Sequence, residues 1–143
     1  MKLLIKKILA NTLSICIIFA SLVAVMLTTG CTYKTYDLVG IVDLEADKIV
    51  YYDDLTDEQK GYIDTYSNFK IKLGVRNDIT ISYEIYEGPL TITYTLKGTY
   101  TLEGNVLNIK TKQDGKEYTT PEQYTDGKII YYMGEFDCYF VFA

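Results

Sequence analysis

The sequence predicts an all-β protein: an antiparallel meander that closes into a barrel, with one short helix, behind an N-terminal signal helix. Three observations carry this. Apolar and polar residues alternate with period two through most of the chain after residue 35, the mark of half-buried strands. Turn-forming pairs separate the alternating runs at regular intervals, the spacing of a barrel or sandwich. A charge-free apolar run fills residues 8–27 and ends a few positions before a cysteine.

The chain opens MKLLIKK, and Lys2, Lys6 and Lys7 are its only charges before residue 34. The run ILANTLSICIIFASLVAVML follows, then Thr28, Thr29, Gly30 and Cys31. A basic start, an apolar centre and a small-residue exit form the pattern of an export signal. TTGC resembles the lipobox of bacterial lipoproteins, where a small residue precedes a cysteine whose thiol receives a diacylglycerol before cleavage. Gly30 and Cys31 match; Thr28 stands where Leu is usual, with Leu27 one step away. The resemblance implies a lipoprotein signal peptide over residues 1–30 and acyl chains such as palmitate on Cys31. It also implies a protein held to the cell membrane by that lipid, on the extracytoplasmic face. Two other readings stay open. Residues 8–29 are long enough to span a bilayer, for which about 20 apolar residues suffice. A simple secretory signal would leave Cys31 an ordinary thiol. Lipid is a workable anchor, because each buried methylene contributes about 0.8 kcal/mol and two or more chains hold stably.

Beyond the signal, residues 31–143 have the length of one domain with a single core. Cys16 would leave with the signal and Cys31 would be acylated, so Cys138 has no partner for an internal disulfide. All 19 acidic residues and 11 of the 14 basic ones fall in this portion, for a net charge of −8. Such a domain gains nothing from phosphate backbones, which excludes nucleic acid as a partner.

The elements follow in order. YDLVGIVDL is the first strand, with Tyr36 near its start, about four residues or ~14 Å of chain from Cys31. DDLTDEQKGYIDTYSN is the helix. Thr56 and Gln59 have the spacing of a capping box, and Asp57 and Glu58 suit the positive end of the helix dipole. Its Leu55, Tyr62, Ile63 and Tyr66 would cover a barrel mouth. Phe69, Ile71, Leu73 and Val75 then alternate inward, as do Ile79, Ile81, Tyr83 and Ile85. LTITYTLKGTYTL places Leu90, Ile92, Tyr94, Leu96, Tyr100 and Leu102 on one face and threonines and Lys97 on the other, with Gly98 as the bend of a curling strand. VLNIKTK turns Leu107 and Ile109 inward. KEYTTPEQY is an edge or bulged strand, since Pro121 cannot donate to a ladder. KIIYY and FDCYFVF end the meander. Reversals fall at Asn77-Asp78, Gly88-Pro89, Gly104-Asn105, Asp114-Gly115, Asp126-Gly127 and Met133-Gly134. The total is one strand, a helix, then six or seven strands.

GTYTLEGNVLNI (98–109) and YTDGKIIYYMGEFDCYFVF (124–142) resemble the lipocalin-like domains of small bacterial lipoproteins, as do TYDLVG (35–40) and FKIKL (69–73). The likeness covers most of 35–142. It implies a calycin-type barrel on the cell surface, in a family usually without assigned activity. The absence of Trp, and so of the Gly-x-Trp signature of true lipocalins, and the short chain speak against a roomy pocket. An eight-stranded barrel is either just filled by its own side chains or holds one small ligand.

The chain has no histidine, which removes Ser-His triads, Cys-His pairs and the commonest transition-metal ligand. Cys138 alternates with Phe140 and Phe142 and reads as a buried strand thiol. Asp53, Asp54, Asp57 and Glu58 are the densest acidic cluster, but their spacing is not that of an EF-hand loop. No catalytic residue, metal ligand or cofactor is expected, and no enzyme. Tyrosine is abundant, 15 residues, all after Cys31. Tyr pairs well across strands, and outward rings offer a face to a glycan or protein partner. Adjacent pairs, Tyr51-Tyr52 and Tyr131-Tyr132, should split between faces. Two roles remain. One is binding of a small, partly apolar ligand, with Tyr83, Ile92, Tyr94 and Tyr100 as candidate lining. The other is a non-catalytic interaction module for proteins of the cell envelope.

Overall fold

The computed structural model describes residues 33–143, so the signal segment 1–30, the alternative spanning run 8–29 and Cys31 lie outside the described residues. In chain order the described elements are β1 (Tyr33–Asp43), β2 (Lys48–Tyr51), a 3-10 turn (Tyr52–Asp54), helix α1 (Asp57–Asp64) and β3 (Ser67–Gly74). Then come β4 (Asp78–Glu87), β5 (Leu90–Glu103), β6 (Val106–Gln113), β7 (Lys116–Thr125), β8 (Lys128–Met133) and β9 (Cys138–Phe142). From β3 to β9 each strand pairs with the next, and β1 pairs with both β3 and β9. Eight antiparallel strands thus close into a barrel, a fold compatible with the lipocalin-like class, and α1 is its one α-helix.

β1 serves three neighbours. Its first half, Tyr33 to Asp37, pairs with β3, and Gly40 to Asp43 pairs with β2. Leu38 to Ile41 closes the ring against β9 through a register shift between Leu38 and Gly40. The shift lets Tyr36 and Ile41 both face the core despite their odd separation. Gly40 lies so near the Val50 carbonyl that a Cβ there would collide with it.

Turn chemistry sets the register. Asp114-Gly115 and Asp126-Gly127 have positive φ at both positions, with Asp φ of 50 and 51 and Gly φ of 78 and 74, the type I′ hairpin conformation. The first strand is already formed at Tyr33, earlier than the expected start at Tyr36. β2 is not anticipated by the sequence pattern. Its reversal, Asp43 to Asp47, has no Gly; instead the Asp43 carboxylate accepts from the N–H groups of Glu45 at 3.0 Å and Ala46 at 3.1 Å, and Asp47 takes a positive φ of 47.

The alternation holds, but the inward set is narrower than expected. Phe69, Ile71, Ile79, Ile81, Leu107 and Ile109 are buried with Tyr36, Ile41, Ile129, Phe140 and Phe142. Val75 falls in a turn and is exposed, while Leu90, Tyr94 and Leu102 are also exposed, because the 14-residue β5 overhangs the barrel at both ends. Tyr131 and Tyr132 split as alternation requires; Tyr51 and Tyr52 do not, since Tyr52 leaves the strand for the 3-10 turn and its hydroxyl donates to Asp64 at 2.8 Å. Cys138 is half-buried rather than fully enclosed, and burial together with Asp137 pushes its thiol pKa up.

One end of the barrel is capped by α1. Leu55, Ile63 and Tyr66 are buried under it, and Tyr62 stacks on Phe136 at 4.8 Å between ring centroids. The Thr56–Gln59 capping box is complete, with both reciprocal hydrogen bonds formed at 3.3 and 3.0 Å. Phe69 is the hub beneath the cap, in edge or tilted contact with Tyr66, Tyr83, Tyr131, Phe140 and Phe142.

Candidate functional site

The register brings the ends of β4, β6 and β8 and the starts of β3, β5, β7 and β9 to the helix-capped end. There two hairpins part. β4 and β5 stay paired out to Glu87–Leu90, whereas the β5–β6 ladder stops at Gly98–Thr111. Gly98 makes the parting possible. A Cβ at this position would strike the Lys110 carbonyl, so only glycine lets β5 hug β6 here and bend away beyond. A cleft of about 370 Å³ opens at the parting.

Its walls come from three sides. Tyr83 and Tyr94 face each other across the β4–β5 ladder and stack at 5.2 Å, interplanar angle 20°. Phe69 and Ile81 form the floor with Leu96; Tyr131 and Met133 of β8 close the far side, with Thr95 and Gln113 as the polar lining. The size suits one small molecule, and the stacked pair contributes about 0.5–1.5 kcal/mol beyond its buried area, which holds the wall rigid.

The Tyr83, Tyr131 and Tyr66 hydroxyls are hard to ionise. Burial raises the Tyr83 pKa first, with Tyr94 and Glu135 adding to it. Burial also dominates at Tyr131, followed by the nearby Glu122 and Tyr83. Tyr66 donates to the Glu135 carboxylate at 2.5 Å, and burial plus that bond raise its pKa well above the ordinary range. These three rings therefore stay neutral hydrogen-bond donors across the physiological range.

Glu122 is the one buried charged residue among the described residues, 5% exposed and directly opposite Leu107 on the inward register of β7. Its position follows from Pro121. The β7–β8 ladder covers only Gln123 to Thr125, and the next hydrogen-bonding step would fall between Pro121, which has no N–H, and Tyr132. The Glu122 carboxylate takes the stranded Tyr132 N–H instead, at 3.1 Å. Burial pushes its pKa to about 7, the bond from Tyr132 only partly opposing this.

Of the four expected lining residues, the structure brings Tyr83 and Tyr94 together in the cleft. Ile92 pairs with Ile85 nearer the hairpin tip and is not part of the lining. Tyr100 lies toward the opposite end, where its hydroxyl donates to the Gly74 carbonyl at 3.1 Å and its N–H to Asn77 at 2.8 Å. Alternation alone therefore selects the inward face but not the level along the barrel. Phe69, Ile81 and Leu96 were on the inward register already. Glu122 was missed, although its parity with Tyr124 beside a proline was a readable signal.

A second cleft, about 410 Å³, lies on the outer face, where Val42 and Ile49 of the β1–β2 hairpin meet Ile130 and Tyr139. Val141 is fully buried on this side, so the hairpin acts as a flap over the outside of β8 and β9. No protein family, no curated protein and no solved structure matches this chain.

Proposed function

We propose that this protein is a lipid-anchored extracytoplasmic lipoprotein of lipocalin-like type whose barrel binds one small, partly apolar ligand in the cleft at its helix-capped end. The observation that carries the binding role is the cleft itself: a concave site with the stacked Tyr83–Tyr94 wall, an apolar floor and a few polar groups. The anchor reading rests on the basic start, the apolar run and Gly30-Cys31. The two fit together. Tyr33, the first described residue, pairs with Gly74 at the end of the barrel away from α1 and the cleft. The acidic surface, which a leaflet of anionic lipid repels, suits attachment by acyl chain rather than by protein. Without histidine the chain has no Ser-His or Cys-His pair, and our reading is of a binding protein rather than an enzyme.

Binding is tested by titrating the full chain with a fluorescent apolar probe, 1-N-phenylnaphthylamine. Saturable enhancement that Leu96→Trp abolishes by filling the cleft is the expected result; enhancement unchanged in Leu96→Trp overturns the assignment. The anchor is tested by intact mass. Loss of residues 1–30 and a diacylglyceryl group on Cys31 are expected, both absent in Cys31→Ser, whereas an intact Met1 terminus in the membrane fraction contradicts it. The outer cleft favours a second reading, an interaction module for envelope proteins, because Leu44 stands 66% exposed at its rim. Under the first reading, Ile130→Ser on that outer face leaves probe uptake intact.

A further inference from the structure

Aromatic rings dominate the cleft: Tyr83 and Tyr94 on one wall, Phe69 below, Tyr131 opposite. No lining residue carries a charge of either sign. The charges immediately behind the lining are both negative. Glu122 is buried in the inward register of β7, and its field reaches the Tyr131 hydroxyl. Glu135 accepts from Tyr66, and its field reaches Tyr83. The neighbouring cations stand outside the lining. Lys70 and Lys72 alternate with the inward Phe69 and Ile71, and Lys70 is paired with Asp37 at 2.9 Å. Lys97 alternates with Leu96; Lys116, across from Gln113 and on the same register as the inward Glu122, stands exposed at the β6–β7 tip and is not part of the lining. The domain as a whole carries eleven positive against nineteen negative side chains.

Aromatic faces present the negative side of their quadrupole, and carboxylates behind them deepen the same potential. We propose that the cleft selects an organic cation, an ammonium group on a small apolar or aromatic body. This rests on the reading of the cleft as a binding site and adds the charge of what it takes. The ammonium would sit over the Tyr83 and Tyr131 side of the cleft, between the fields of Glu135 and Glu122, and the apolar body against Leu96, Met133 and Phe69. An anion of the same shape meets two carboxylates with no cation in the lining.

Three probes share one aromatic body and differ in charge: 2-phenylethylamine, 2-phenylethanol and 3-phenylpropionate. Each is titrated into the full chain in maltoside micelles at pH 8, where the amine is an ammonium ion. The expected order is ammonium first, about tenfold tighter than the alcohol, with the carboxylate weakest. Glu122→Gln and Glu135→Gln should each cut the preference severalfold while leaving the alcohol within twofold of wild type. Equal or tighter binding of the alcohol or the carboxylate overturns the cation inference and leaves the cleft assignment standing. Failure of all three probes to bind overturns the cleft assignment as well. The comparison on the unmodified protein decides the matter even where Glu122→Gln does not fold.

Discussion

Glu122 and Pro121 act on the same stretch of backbone, one removing a sheet hydrogen bond and the other supplying it. The cost of that repair is a carboxyl group in the barrel interior. Its pKa is about 7 when folded against an ordinary 4.5, so the folded state holds the proton more tightly. The resulting stabilisation is fully present below about pH 4.5 and is lost as pH rises through about 7. Urea midpoints should therefore fall from pH 5 to pH 8 in wild type by more than in Glu122→Gln, which keeps an acceptor for Tyr132 and cannot ionise. An identical fall in both proteins contradicts this role. Gly98 is the other residue with a single physical reason. Because an added Cβ would strike the Lys110 carbonyl, Gly98→Ala should cost about 1–3 kcal/mol by chemical denaturation. The bend at Gly98 was legible in the sequence, as a glycine on the inward register of an overlong strand. The collision that fixes it was not, because that depends on how closely β6 approaches.

Among the elements, α1 was the most legible. Its capping box and acidic first turn were set by local spacing and the structure has both; Leu55, Ile63 and Tyr66 are buried and Tyr62 half-buried, while the ends of the expected 53–68 stretch fall in the 3-10 turn and in β3. Thr56→Ala should lower stability by about 1 kcal/mol with an unchanged denaturant slope, since the cap bonds go to water while the packing of Ile63 and Tyr66 stays. The strand set was legible for the same reason: the positive-φ positions of tight turns are filled readily by few residues besides Gly, Asn and Asp. β2 was not. It is 4 residues long, pairs only with β1, and turns on an aspartate side chain rather than a glycine. The partial exposure of β5 was also hidden, because alternation gives the face of a strand and not how far it overhangs its neighbours.

At the scale of the molecule, closure depends on β1 bending to meet β9, with the Asp37–Ala143 pair of backbone hydrogen bonds, both 3.0 Å, at the seam. A meander was readable from consecutive turns, but its closure was an expectation from the resemblance and the curling of β5. The cleft was half readable. Tyr83 and Tyr94 belong to it because they are cross-strand partners at the level where the hairpins separate, while Ile92 and Tyr100, on the same face, lie above and below that level. The most direct measurement of the binding assignment is ring-proton NMR of the tyrosines in the full chain as 2-phenylethanol is added. Shifts confined to Tyr83, Tyr94 and Tyr131, with Tyr36, Tyr100 and Tyr139 unmoved, are predicted. Shifts centred on Tyr139 and the outer cleft, or none at saturating probe, would contradict it.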